Sequence, residues 1–84
     1  MEEMTTSNKE RYLQIFMDTF SITEEQTKGL EYASIPAWDS VGHMSLMAEL
    51  EDAFDIMMDT DDIIDFSSFE KGMEILANNY DVEF

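Results

Sequence analysis

The sequence predicts an all-α protein: a four-helix bundle with three longer helices, one short third helix and a long loop between helices one and two. Apolar residues recur at steps of three and four in three separate segments, and no segment alternates as a strand does. The 84 residues contain no cysteine, so a helical core has to hold the fold without disulfides. We expect residues 1–84 to form one domain, with 1–6 as a disordered tail.

The first helix is predicted from a capping box and the apolar pattern that follows it. Ser7 precedes Glu10 by three residues, and apolar side chains recur at Tyr12, Leu13, Phe16, Met17 and Phe20. The helix should therefore run from about Asn8 to Phe20. The following segment, 21–39, is long for a structureless connection. Its residues 23–26 could form a helical turn, and four apolar residues should hold it against the bundle: Ile22, Leu30, Tyr32 and Ile35.

The remaining helices are predicted from residue 40 onward. The second longer helix should span Ser40 to Phe54, with an inward stripe at Leu46, Met47, Leu50, Ala53 and Phe54. Aspartates followed by two isoleucines in 59–64 suit a short helix packed across the end of the bundle. Ser67 and Glu70 form a second predicted capping box, which places the last helix at about Ser68 to Tyr80.

The charge balance restricts the partners. Four Lys or Arg residues oppose twenty Asp or Glu residues, a net charge of −16, which excludes a nucleic-acid binder that neutralises phosphates. No Lys or Arg occurs between Lys28 and Lys71, so partners should present basic surfaces. The first residues lack a basic segment followed by an apolar run, and no apolar stretch approaches the roughly 20 residues of a membrane span. We expect a cytoplasmic monomer with no membrane span.

The pair Asp39-Ser40 joins the long loop to the second longer helix. A hydroxyl at this point is exposed beside the positive end of the helix dipole, where an attached phosphate would be stabilised. Taken alone, the pair could equally be an ordinary helix N-cap. His43, one turn further on, is predicted to be a surface residue or partner contact rather than a base for Ser40, and Gly42 either leaves room for a partner or lets the first turn fray.

From Asp39 onward the sequence resembles the acyl carrier protein family. Asp39-Ser40-Val41 matches the family's Asp-Ser-Leu signature, with valine in the third place. Further matches fall at the apolar and acidic positions of the following helices, at Leu46, Leu50, Glu51, Phe54, Asp61, Asp62, Phe66, Ser67, Ser68 and Phe69. The order of predicted helices also agrees with that family.

The resemblance implies a carrier protein that is not an enzyme and has no catalytic residues or metal site. Its cofactor would be 4'-phosphopantetheine from coenzyme A, attached to Ser40 next to Asp39 by a phosphopantetheinyl transferase. Acyl intermediates would be held as thioesters and presented to loading and transfer enzymes with basic docking surfaces. On a helical wheel, a face with an apolar centre and an acidic rim lies beside Ser40 and is the predicted docking face: Val41, Met44, Ala48, Glu51, Asp52 and Asp55.

Three alternatives stay open. The cargo could be a D-alanyl or other aminoacyl group of a specialised pathway, and the fatty-acid, polyketide and glycan-modifying pathways are not separable from one chain. A calcium-binding module is suggested by the twelve-residue window from Asp59 to Glu70, although Ile63 and Ile64 stand where such a loop needs an oxygen ligand and a glycine. An acidic decoy or inhibitor could bind a basic surface without covalent chemistry.

Overall fold

The computed structural model describes residues 7–84, which form five α-helices. They follow one another as Asn8–Phe20 (α1), Glu24–Thr27 (α2), Ser40–Phe54 (α3), Thr60–Asp65 (α4) and Phe69–Asn79 (α5). The all-α bundle is confirmed, with three longer helices near the expected positions and a helical turn, α2, inside the long loop. The predicted tail at 1–6 lies outside the described residues.

The helix starts follow the capping rules, with one correction. Ser7 and Glu10 form the predicted box: Ser7 Oγ accepts from Glu10 N at 3.1 Å, and Glu10 Oε1 accepts from Ser7 N at 3.2 Å. The predicted box at Ser67 and Glu70 is wrong. Ser68 is the N-cap of α5, and its hydroxyl accepts from Lys71 N at 2.9 Å.

The reason for this shift is a backbone pairing between the long loop and the segment before α5. Tyr32 N donates to Ser67 O, and Phe69 N donates to Leu30 O, both at 2.9 Å. These bonds flank an isolated antiparallel bridge between Glu31 and Ser68. The backbone before α5 is thereby kept extended, and the helix starts one residue later than the capping pattern predicts.

Aromatic side chains form the centre of the core. Phe16 of α1 is fully buried, and the ring centroids of Phe20, Trp38 and Phe69 lie 5.8, 5.5 and 4.8 Å from its own. These separations suit edge-to-face and offset packing, which adds to the gain from burial. Trp38 comes from the end of the long loop, so this loop supplies one of the largest side chains of the core.

Three of the four apolar residues expected to hold the long loop against the bundle do so, and Tyr32 does not. Leu30 is buried, Ile22 and Ile35 are half-buried, and Tyr32 remains largely exposed. Two backbone bonds turn the chain back just before α3: Trp38 N donates to Ile35 O at 3.1 Å, and Ala33 N donates to Trp38 O at 2.9 Å. The loop therefore carries Trp38 into the core and leaves Asp39 and Ser40 at the surface.

Helix α4 has a different kind of attachment. None of its residues is buried, and its N-cap, Asp59, makes no side-chain capping bond. Its connection to α5 is polar: Asp62 accepts from the Tyr80 hydroxyl at 2.6 Å and from Asn79 Nδ2 at 2.9 Å. The Tyr80 hydroxyl in turn accepts from Asp59 N at 2.8 Å.

Across residues 7–84 no helix combines the length and apolar character needed to cross a membrane.

Candidate functional site

The site begins at the N-terminus of α3. Asp39 is the N-cap: its Oδ1 accepts from Gly42 N and its carbonyl accepts from His43 N, both at 2.8 Å. The Asp39 side chain thus satisfies one of the four N–H groups that have no partner within the helix, that of Gly42, whereas the bond from His43 N is the first bond of the helix itself. Ser40 is the first residue of the helix and its side chain is exposed. Its hydroxyl is therefore accessible to another protein at the positive end of a 15-residue helix.

The structure explains why a glycine stands at position 42, and the explanation differs from both predicted ones. A Cβ at this position would overlap the carbonyl oxygen of Ala37 and press on the Phe20 ring. The glycine therefore allows the loop before α3 to lie directly against the first turn of the helix. The turn is capped by Asp39, so neither fraying nor room for a partner accounts for the glycine.

An apolar pocket of about 320 Å³ opens beside Ser40. Its walls come from Met44 of α3, from Ile63 and Ile64 of α4, and from Phe66, which follows α4. The serine lies at the edge of this pocket, and the volume is at the lower end of the usual range for small-molecule sites. A group attached to Ser40 could thus reach an apolar space without entering the aromatic core.

His43 forms one wall of the pocket and is not a surface residue, so this prediction is wrong. The ring is half-buried, and both of its nitrogens are engaged. The Trp38 indole N–H donates to His43 Nδ1 at 2.9 Å, and His43 Nε2 lies 2.8 Å from the carbonyl oxygen of Ile63. With both nitrogens occupied, His43 has no free position with which to take a proton from Ser40, in agreement with the sequence-based rejection of it as a base.

The six residues of the predicted docking face differ in their exposure. Val41 is 74% exposed and Met44 55% exposed, and Ala48, Asp52 and Asp55 are exposed as well. Glu51 is different: it is half-buried, and its Oε2 accepts from Met58 N at 2.9 Å. The Glu51 carboxylate therefore stabilises the turn after α3, and the acidic rim of the face consists of Asp52 and Asp55.

The window from Asp59 to Glu70 does not form a calcium loop in this structure. Helix α4 occupies its first half, and Asp62 is bound to Tyr80 and Asn79. Glu70 Oε2 accepts from Gly29 N at 3.4 Å, away from the aspartates of α4. Among residues 7–84 no three His, Asp or Glu side chains converge in a way that could hold a metal ion.

Sequence reasoning missed the connection between Trp38 and His43. The signal in the sequence was a tryptophan five residues before the chain's single histidine, across a helix start. A buried indole N–H needs an acceptor, and the ring nitrogen of a histidine is one of the few side-chain groups that can provide it. The pair could have been suspected, but its contact with α4 could not.

The chain was also compared with models of protein families, with curated proteins and with solved structures, and none of them matched it.

Proposed function

We propose that this protein is a carrier, not an enzyme, that holds acyl groups as thioesters on a 4'-phosphopantetheine arm attached to Ser40. It presents these groups to partner enzymes of the cytoplasm. The observation that carries the proposal is the position of Ser40: an exposed hydroxyl on the first residue of α3, at the edge of an apolar pocket.

The surroundings of Ser40 fit an attached phosphodiester. The Asp39 side chain accepts from the Gly42 amide, and the His43 amide makes the first bond of the helix, so the amides of Ser40 and Val41 lie at the open end of the helix. Helix N-termini stabilise phosphate groups through such amides and through the helix dipole. A phosphate on Ser40 Oγ would lie within this field, although the nearby Asp39 carboxylate opposes part of the effect.

The attachment reaction requires little from this chain. The Ser40 oxygen attacks the phosphorus that bears pantetheine in coenzyme A, an oxygen–phosphorus bond forms, and the bond to the departing adenosine 3′,5′-bisphosphate breaks. The serine proton passes to a base of the transferase, because both nitrogens of His43 are already hydrogen-bonded. Once attached, the arm supplies the thiol that holds the cargo.

The pocket favours an acyl over an aminoacyl cargo. Its lining is apolar apart from the hydroxyls of Tyr32, Ser40 and Ser67 and the His43 ring, and no carboxylate lines it. An ammonium group placed there would lose its hydration without gaining a counter-charge. An alkyl chain gains free energy with each methylene that it buries.

The partners are expected to bind the face beside Ser40. Val41 and Met44 are large apolar side chains left exposed next to the serine; Asp52 follows on the same helix, and Asp55 is the residue that ends it. An apolar centre with a charged rim is typical of protein interfaces. With a net charge of −16 on the chain, a basic partner would be attracted over a distance and would bind faster at low salt.

Mass spectrometry tests the proposal directly. We expect coenzyme A and a phosphopantetheinyl transferase of broad specificity to add the mass of one arm to the unaltered chain. The same gain should occur for the control Ser45→Ala, which removes another exposed hydroxyl of α3, and no gain should occur for Ser40→Ala. A gain that persists in Ser40→Ala would contradict the assignment of the serine, and no gain in the unaltered chain would contradict the proposed function.

A further inference from the structure

His43 connects three parts of the molecule that meet at the pocket. It belongs to the first turn of α3, it accepts from Trp38 of the long loop at 2.9 Å, and it contacts the Ile63 carbonyl of α4 at 2.8 Å. Aromatic rings surround it, with centroids of Tyr32 at 5.4 Å and Phe66 at 6.0 Å. Through these contacts of His43, a change in the first turn of α3 can alter the position of α4.

The donor and acceptor roles in this chain of bonds follow from its two ends. The indole nitrogen of Trp38 can only donate, so His43 Nδ1 must accept and carries no proton. The carbonyl of Ile63 can only accept, so Nε2 must carry the proton and donate. The structure therefore assigns the neutral Nε2–H tautomer to His43.

The bond from His43 Nε2 gives a hydrogen-bond partner to the Ile63 carbonyl, near the C-terminal end of α4. The last four carbonyls of a helix have no partner within the helix, and Ile63 lies in the last turn of α4. Helix α4 has no fully buried residue, so its position is fixed by this bond, by the half-buried Ile63 side chain against the core, and by the polar contacts of Asp59 and Asp62 with Asn79 and Tyr80. Ile63 and Ile64 are also walls of the pocket.

We propose that His43 is a positioning residue that fixes the α4 wall of the pocket and so determines how well the pocket shelters a group carried on Ser40. This inference rests on the proposed function for the nature of that group. The link between His43 and α4 does not depend on the proposed function, because the hydrogen bond to Ile63 lies within this chain.

Two substitutions separate the two bonds of His43. In His43→Asn the short amide keeps an acceptor near Trp38 but does not reach Ile63, whereas in His43→Gln the longer amide can donate to Ile63 O. Native-state hydrogen exchange of the unloaded chain should show the α4 amides of His43→Asn exchanging about three- to tenfold faster, relative to α1, than those of the unaltered chain. In His43→Gln they should stay close to the unaltered rates. Equal α4 rates in the unaltered chain and His43→Asn would overturn the proposal.

Should the variants fail to fold, the unaltered chain provides its own test. The imidazole nitrogen NMR shifts of His43 should report a proton on Nε2 and none on Nδ1 at neutral pH. A proton on Nδ1 would contradict the bond from Trp38 and overturn the proposal.

The loaded chain tests the consequence for the cargo. With an octanoyl group on the arm, cleavage by hydroxylamine should be several-fold faster in His43→Asn than in the unaltered chain. An acetyl group, which has little apolar surface to bury, should be cleaved equally fast in both. Equal cleavage of the octanoyl group would overturn the sheltering role. Failure to load any arm would instead contradict the proposed function, and the exchange and NMR results on the unloaded chain would still decide whether His43 positions α4.

Discussion

The aromatic core and helix α4 are held in opposite ways. In the core, Tyr12 and Phe16 of α1 are fully buried and pack against rings from the loop and α5. Helix α4 has no fully buried residue: Ile63 packs half-buried against the core, and the other contacts that attach the helix are polar. Elements with little buried apolar surface open locally at low free-energy cost. Ser40 lies where the two meet, on a helix fixed by the core and next to a wall that can yield.

The largest effect should come from truncation in the core. Phe16→Ala removes a fully buried ring, and we expect it to lower the free energy of unfolding by about 3–5 kcal/mol, enough to unfold much of a domain of this size. The matched change in α4, Ile64→Ala, removes a side chain that is 72% exposed. Its free energy of unfolding should stay within about 0.5 kcal/mol of that of the unaltered chain. Urea unfolding followed by circular dichroism measures both. Similar losses in the two variants would refute the contrast between core and α4.

The next effect tests the contact between the loop and α3. In Gly42→Ala the added methyl group would overlap the Ala37 carbonyl, and the backbone would have to move. We expect a loss of about 1–3 kcal/mol in the free energy of unfolding, although alanine is the better helix former. Ser45→Ala, at an exposed position of the same helix, serves as the control and should change little. A stabilised Gly42→Ala variant would show that the close approach of the loop is not required.

Much of this architecture could be predicted, because local patterns determine it. The bounds of α1 and α3 follow from capping residues and apolar spacing, and Ser40 was placed correctly at the start of α3. The features that were missed depend on contacts between distant segments. Nothing local could decide between Ser67 and Ser68 as the N-cap, because the pairing of this segment with residues 30–32 decides it.

The pocket could not be predicted for the same reason, since it too depends on contacts between distant segments. A tryptophan before Asp39 looks like part of a surface loop, and its burial depends on rings contributed by α1. His43 looks exposed on a helical wheel, since its partners come from the loop and from α4. Likewise, Glu51 was placed in the docking face because the wheel carries no information about the Met58 amide.

A moderate effect is expected from the polar attachment of α4 to α5. Tyr80→Phe removes the hydroxyl that donates to Asp62 and accepts from Asp59 N, and should lower the free energy of unfolding by about 1–2 kcal/mol at neutral pH. The α4 amides should exchange faster in this variant, whereas those of α1 should change only as far as global stability does. Unchanged α4 exchange would show that these bonds do not hold the helix.

The same variant has a defined pH dependence. Burial raises the pKa of the Tyr80 hydroxyl, and its hydrogen bond to Asp62 raises it further. A phenol with a raised pKa in the folded state stabilises that state while it is protonated, so the contribution is complete below the ordinary tyrosine value of about 10 and is lost as pH rises through the folded-state pKa. The difference in stability between the unaltered chain and Tyr80→Phe should therefore be constant near neutral pH and shrink in alkali. Tyr12, whose pKa is raised by burial and by Glu70, is present in both chains and cancels.

The smallest and most gradual effect should come from salt. The net charge is −16, and no Lys or Arg lies between Lys28 and Lys71. Ion pairs such as Lys71–Glu74 at 3.1 Å join exposed side chains and add little stability. Repulsion among the carboxylates opposes the compact state, and raising the salt from 0.1 to 1 M shortens the screening length from about 10 Å to about 3 Å. We expect the melting temperature to rise by a few degrees, since about 1 kcal/mol corresponds to roughly 4–8 °C in a domain of this size.

Divalent cations sharpen this last expectation. Magnesium and calcium should both raise the melting temperature gradually and to a similar extent, as screening does, and both should slow amide exchange in acidic α4 more than in α1. Thermal unfolding across matched titrations of the two ions, compared at equal concentrations, measures the difference between them. A steep one-to-one stabilisation by calcium alone, abolished by Asp59→Ala or Glu70→Ala, would mean that residues 59–70 rearrange into a calcium loop. Helix α4 is the helix with the least buried surface, so a rearrangement of residues 59–70 would cost less free energy there than in the other helices. The comparison of calcium with magnesium therefore tests the part of the fold that is easiest to change.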